Sequence, residues 1–167
     1  MNAAFLCLGG NIGDRLANLG ETKRQLGLLG CKILNQSSIY QTKAWGVDEA
    51  PDYYNQCIQI STNLNAHELM KALLSIEENM GRVRTESRNA SRTMDLDILF
   101  FNDEQIITPD LEVPHPRLQL RNFVLIPMAE IAPKLMHPKL RKTIQQLLNA
   151  CIDESEVNRT ETNVHLY

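Results

Sequence analysis

Two aspartates separated by one leucine, Asp95-Leu96-Asp97, open an apolar run that ends at Phe101, and Arg82, Arg84, Arg88 and Arg92 stand just before them. Side chains alternate along an extended chain, so the two aspartates project to the same side, about 7 Å apart along the strand. Two carboxylates at the start of a buried strand cost desolvation and mutual repulsion unless a cation lies between them. Oxygen-only donors favour a hard divalent ion such as Mg²⁺ over Zn²⁺, and the fork-shaped arginine donors suit the phosphates such an ion carries. The competing interpretation is a strand entering from a solvated edge with arginines neutralising its aspartates, because structural ion pairs also make such clusters.

The surrounding chain supplies elements that can position these groups. Alternation from Met94 puts Met94, Leu96, Ile98 and Phe100 on one apolar face, with Leu99 and Phe101 continuing the face of the aspartates. Ala3 to Leu8 reads as a first buried strand ending in a tight turn at Gly9-Gly10-Asn11. Asp14 is a plausible N-cap for a helix carrying Ile12, Leu16, Leu19, Leu26 and Leu29 at helical spacing, and Gly30 stops it. A strand, a glycine turn and a helix also build phosphate loops, but the Gly-x-Gly-x-x-Gly pattern and the Lys-Ser/Thr ending are absent, so the turn is read as structural. Cys31 to Tyr40 is a second strand broken by polar Asn35 to Ser38, Gln41 to Asp52 a loop, and Tyr54 to Thr62 a third strand. Asn65 caps a second helix, with Glu68 as its capping-box partner, an apolar stripe of Leu69, Leu73, Ile76 and Met80, and Gly81 as its stop.

The order βαββαβ, with short connections, predicts a ferredoxin-like α/β sandwich: a mainly antiparallel sheet with helices on one face. Beyond it, Val113-Pro114-His115-Pro116-Arg117 is held extended by its prolines, and Arg121 to Ile131 is an apolar segment interrupted by Pro127. Leu140 to Ala150 reads as a final helix. A single domain over residues 1–152 is expected, followed by a polar tail, 153–167, that should fray.

At 167 residues and a net charge of −3, the chain is long enough for one sizeable core and lacks the global positive field of a nucleic-acid-binding protein. The positive charge is local, which fits a small anionic ligand better than a polyanion. Cys7, Cys31, Cys57 and Cys151 show no Cys-x-x-Cys spacing and read as reduced thiols. The first residues carry no basic leader, and the apolar run is too short for a signal peptide or membrane span, so a cytoplasmic protein with no membrane partner is expected.

Together, Gly9-Gly10-Asn11, Tyr53-Tyr54-Asn55, Asp95-Leu96-Asp97 with its arginines, Pro114-His115-Pro116-Arg117 and Arg121-Asn122-Phe123 closely resemble the hydroxymethyl-dihydropterin pyrophosphokinases of folate biosynthesis. The strongest likeness lies in Arg88 to Leu99, and the resemblance runs from about Ala4 to Pro133. It implies transfer of the β,γ-pyrophosphoryl group of ATP, with two Mg²⁺ ions, to 6-hydroxymethyl-7,8-dihydropterin, releasing AMP. Asp95 and Asp97 would hold the metals and, with Arg82 and Arg92, form the catalytic set. Glu77, Arg84, Arg88, Arg92, Ile98, His115 and Arg121 would bind ATP. Thr42, Ala44, Trp45, Tyr53, Asn55 and Phe123 would bind the reduced pterin, Tyr53 and Phe123 by stacking and Asn55 through its amide. A monomer is expected, with weak self-association as the alternative.

Two positions depart from the family pattern. Ala44 stands where a proline is common after Tyr40-Gln41-Thr42-Lys43, and Asn89-Ala90-Ser91 stands where relatives carry an aromatic residue and Gly-Pro. Trp45 is therefore the candidate to lid the bound substrates from the other loop. The competing functional readings are a non-catalytic ligand- or RNA-binding module on the same fold, and another Asp-x-Asp nucleotidyl or phosphoryl transferase.

Overall fold

In the computed structural model, residues 1–44, 50–81 and 93–161 are described. The residues expected to form the arginine loop, 82–92, lie outside them, as do Trp45 and the last six residues. Eight strands and four α-helices occur among the described residues. The central sheet has the order β5(Asp95–Phe101), β1(Asn2–Gly10), β4(Tyr53–Thr62), β3(Tyr40–Thr42), β8(Val157–Arg159), and β2(Lys32–Gln36) shares the outer edge of β4 with β3. Every pairing in it is antiparallel. The local signals account for the first two helices. Asp14 accepts from the Ala17 N–H ahead of α1(Arg15–Leu28), and Asn65 and Glu68 form a reciprocal capping box on α2(Ala66–Asn79). Gly30 and Gly81, both at positive φ, follow these helices.

The expected second strand is split into β2 and β3 because Ser37 interrupts the ladder. Its hydroxyl oxygen accepts from the Cys57 N–H at 3.0 Å and its carbonyl accepts from the Gln56 side chain at 2.7 Å, so the break costs no unsatisfied backbone group. Leu19 and Leu26 of α1 and Leu69, Leu73 and Ile76 of α2 pack on the sheet face formed by Ala4, Leu6, Leu8, Ile58, Ile60, Leu96 and Ile98.

Two expectations are corrected, and one unassigned segment takes its form. Helices cover both faces of the sheet: α3(Asn122–Ile131) and α4(Ile144–Asn149) pack Val124, Leu125, Met128, Ile144 and Leu147 against Phe5, Cys7, Cys57, Leu99 and Phe100. The stretch around Pro127 is helical because burial outweighs the proline. A proline inside a helix costs about 3 kcal/mol, whereas each large buried apolar side chain contributes about 1.5–3 kcal/mol. Strand β5, in turn, changes phase. Leu6 faces Ile98 and Phe5 faces Phe100, so Leu99 is an extra residue, a bulge, and the alternation slips by one. Phe101, not Phe100, joins the core beneath α1 and α2, while Phe100 joins the opposite one.

The expected frayed tail is also held as far as Thr160. Thr42 pairs with Val157 and Tyr40 with Arg159, and the Thr160 N–H and hydroxyl both donate to the Ile39 carbonyl. These polar strand residues cover an edge of β3 that would otherwise stand open. No helix among the described residues is long and apolar enough to cross a membrane.

Candidate active site

The first strand runs straight through Gly9 and Gly10 and does not turn there. Gly9 pairs with Asp95 on one side and with Asn55 on the other, while Cys7 pairs with Asp97 and with Cys57. Residues two apart on a strand share a face, so Asp95 and Asp97, Gly9 and Cys7, and Tyr53 and Asn55 form one floor across three strands. That floor is the base of a cavity of about 770 Å³. Thr42 and Lys43 enter it from the end of β3, and Leu120, Arg121 and Phe123 from the start of α3. Ile152, Asp153 and Glu154 close the remaining side.

The acceptor-like end is built around Asn55. Its side chain is 5% exposed and donates to the Thr42 hydroxyl at 3.1 Å. It lies so close over Gly9 that a Cβ added there would stand 2.5 Å from Asn55 Oδ1. Glycine is therefore required at that point of the strand by close approach, not by a turn. Gly9→Ala is expected to push the Asn55 amide aside, raising the KM for the ring substrate about tenfold with a small change in kcat. Steady-state kinetics check this, and an unchanged KM would mean that the Asn55 position is immaterial. Phe123 and Tyr53 line the same space, and the Arg121 guanidinium stands 5.4 Å from the Phe123 ring centroid.

Glu77, 2% exposed, reaches from the end of α2 and accepts from the Leu96 N–H at 2.8 Å. It thus holds the backbone between the two aspartates on the outer edge of β5. The donor set at the cavity suits a hard cation. It consists of carboxylate oxygens, and the neighbouring Cys7 thiol is held well above its usual pKa by its hydrogen bond with Cys57, by burial, and by the charges of Cys57, Asp97 and Asp95. Among the described residues no third acidic residue, histidine or cysteine joins the pair in a ligand cluster, which leaves coordination positions for phosphate oxygens and water.

His115 lines a separate cleft of about 90 Å³ beside Val113, Pro114 and His137. The bulge fixes it there, since the Leu99 carbonyl accepts from the His115 N–H at 3.0 Å. Its Nδ1 accepts from the Arg117 N–H at 3.1 Å, placing the ring proton of the neutral form on Nε2. Burial, then Arg121 and Arg117, lower its pKa to about 4, with Asp95 opposing. Between pH 6.5 and 4 the unfolded chain therefore binds more protons at this site than the folded one, so stability from His115 is complete above 6.5 and is lost as pH falls toward 4. The wild type is expected to lose melting temperature over that range more steeply than His115→Gln, as thermal melts across pH would record; parallel curves would contradict the assignment.

The cavity thus brings together Thr42, Tyr53, Asn55, Asp95, Asp97, Arg121 and Phe123. His115 stands apart in its cleft, though within electrostatic reach of Arg121 and Asp95. Ile98 points its side chain into the core beneath α1 and α2, on the far side of the sheet, so only its backbone can face a ligand. Ala44 is half-buried at the end of a described stretch. Trp45, Arg82, Arg84, Arg88 and Arg92, with Asn89, Ala90 and Ser91, lie outside the described residues. Sequence reasoning missed Gly9 as part of the floor, and Lys43, Leu120, Ile152, Asp153 and Glu154 as walls. The parity of β1 with Cys7 was a usable signal for Gly9; nothing local marks the residues after 150.

A family model described as 7,8-dihydro-6-hydroxymethylpterin-pyrophosphokinase (HPPK) matches residues 5–133. A 2-amino-4-hydroxy-6-hydroxymethyldihydropteridine pyrophosphokinase of Synechocystis is 43% identical over 148 residues, covering 88% of this chain and 75% of the relative. One of Methylorubrum extorquens is 37% identical over 162 residues, covering 96% of this chain and all of the relative. The fold is similar to that of the Plasmodium falciparum HPPK-DHPS crystal structure, with a TM-score of 0.70 at 20% identity, over 90% of this chain and 43% of that longer one. The matched span carries the aspartate pair, the Tyr53–Asn55 floor and the Arg121–Phe123 wall, and with relatives this similar along most of their length the chain belongs to the 7,8-dihydro-6-hydroxymethylpterin-pyrophosphokinase family.

Proposed function

We propose that this cavity transfers the β,γ-pyrophosphoryl group of ATP to the hydroxymethyl group of 6-hydroxymethyl-7,8-dihydropterin, giving the pterin diphosphate and AMP in folate biosynthesis. One observation carries the reading: a carboxylate pair and an aromatic-amide slot share one floor, so a phosphate chain and a flat polar ring can meet in the same space. Attack of a hydroxyl on phosphorus needs alignment and charge neutralisation more than a strong base.

Tyr53 and Phe123 hold the pterin by its faces, and the Asn55 amide, steadied by Thr42, reads its amino-amide edge. By likeness to the family, the backbone near Ala44 and Trp45 would close the remaining edge. Arg121 turns its guanidinium toward phosphate oxygens from above Phe123, with His115 approaching from its cleft as a neutral Nε2–H donor. Arg82, Arg84, Arg88 and Arg92 complete the phosphate contacts, Arg82 and Arg92 at the transferred group, and the Ile98 backbone serves the nucleotide. Glu77 orients the strand between the two aspartates. Asp95 and Asp97 would hold two Mg²⁺ ions, which when bound supply charge neutralisation and polarisation of the attacking hydroxyl.

The strand order β5-β1-β4-β2 with α1 and α2 on one face supports reading the core as ferredoxin-like, extended by α3 and α4. We place the enzyme in the cytoplasm as a monomer. The test is AMP formation from ATP and Mg²⁺ with and without the reduced pterin. Pterin-dependent AMP is the expected result, whereas ADP would reject the reaction class.

A further inference from the structure

Helix α3 begins without a cap of its own. Arg121 stands at the N-cap position and its side chain makes no capping bond. The first backbone donor of the helix, the Asn122 N–H, is instead taken by Asp153 Oδ2 at 2.9 Å, from 31 residues further along the chain. The Asn122 side-chain amide donates to the Asp153 backbone carbonyl, so the two residues are tied twice. The second carboxylate oxygen, Oδ1, accepts from the Ser155 N–H at 2.9 Å and so orients the group. A carboxylate at a helix N-terminus is also favoured by the helix dipole.

Arg121 and Phe123 flank Asn122 and both line the cavity. Four residues beyond Asp153, Val157 pairs with Thr42, which also lines the cavity. A four-residue span reaches at most about 14 Å, so the segment is a tether of limited length between the wall bearing Phe123 and the wall bearing Thr42. Ile152, 85% exposed overall, and Glu154 face the same cavity from this tether. Although burial pushes the Asp153 carboxyl up, the hydrogen bonds from Ser155 and the Asn122 N–H bring it below its ordinary range, so it is ionised wherever the enzyme would work. The family model's match stops at residue 133, before this segment, which the Methylorubrum extorquens relative nonetheless spans.

We propose that Asp153 is a positioning residue of the acceptor site: by holding Asn122 it sets Arg121 and Phe123 against Asn55 and Thr42, and so sets the affinity for the pterin. The inference rests on the pyrophosphokinase reading. Loss of such positioning weakens ground state and transition state alike, which raises KM and leaves kcat in place.

The experiment uses the full chain, with AMP formation followed at varied pterin and at varied ATP. Asp153→Ala is expected to raise the pterin KM about tenfold and, through Arg121, the ATP KM by a smaller factor, with kcat within about twofold. Asp153→Asn keeps one acceptor oxygen and the backbone carbonyl and should recover most of the loss. Asn122→Ala, which removes only the side-chain half of the tie, should raise the pterin KM about threefold and serves if Asp153→Ala does not fold. Thr143→Ala is the control. It deletes the helix cap of α4, whose residues do not line the cavity, costing stability of about 1 kcal/mol, and should leave both KM values alone. An unchanged pterin KM in the Asp153 and Asn122 variants, or an equal rise in Thr143→Ala, overturns the proposal. A wild type that forms no AMP overturns the reaction reading itself, a separate result.

Discussion

Asp97→Asn is expected to lower kcat by about 10²–10³-fold, the loss typical of removing one preorganised electrostatic group from a reacting centre, and Asp95→Asn should behave alike. The two side chains stand on the same floor of the cavity, opposite Cys7 and Gly9 of the adjacent strand. An amide has the shape of the carboxylate but no charge, so cation binding suffers while the space it occupies is kept. Melting temperature should move little, because β5 is held by its pairing with β1 and by buried Leu96, Ile98, Leu99, Phe100 and Phe101, none of which changes. Raising the Mg²⁺ concentration should recover part of the activity of each variant. Near-normal turnover in either would show that the aspartates are structural. A fall in kcat accompanied by an equal fall in stability would mean that the strand, not the site, had been damaged.

Glu77→Ala is expected to be the most disruptive single change to the scaffold beneath the site. The Leu96 N–H would lose the acceptor it has at 2.8 Å, and a buried donor left unsatisfied costs about 1–3 kcal/mol. Because that N–H lies between Asp95 and Asp97, the loss would be felt twice, as a lower urea midpoint and as a lower kcat. Glu77→Gln keeps an acceptor oxygen of nearly the same reach and should restore the midpoint to within about 1 kcal/mol. Denaturation curves and AMP formation on the same samples separate the two effects. If Glu77→Ala kept full stability, the buried bond would be dispensable; if it lost stability but kept kcat, the aspartates would not depend on it.

Much of this architecture could be read locally. The Asn65–Glu68 capping box, the Asp14 cap and the apolar stripe of α2 depend on residues three or four apart, and the structure follows them. The pairing of Asp95 with Asp97 on one face likewise needs nothing beyond strand alternation. What escaped was set by partners distant in sequence. Alternation alone cannot place the bulge at Leu99, because the slip arises where β5 meets Phe5 and Leu6 and where His115 takes the Leu99 carbonyl. Gly9 looked like a turn residue, yet its reason is the Asn55 side chain lying over it. Pro127 interrupts the apolar run in sequence, and it is burial that carries a helix through it. The polar run after Ile152 has no apolar period, and it acquires order only from the open edge of β3 and the uncapped start of α3.

That late strand bears on how the protein is made. Synthesis proceeds from the N-terminus at about 5–20 residues per second, so β1, β3 and β4 emerge on the order of 5–20 s before Val157–Arg159 can reach them. Through that interval the nascent sheet offers the bare edge of β3 to any strand-like neighbour, including one from an adjacent ribosome. The segment that finishes the pocket, Ile152, Asp153 and Glu154, thus runs directly into the strand that ends this exposure.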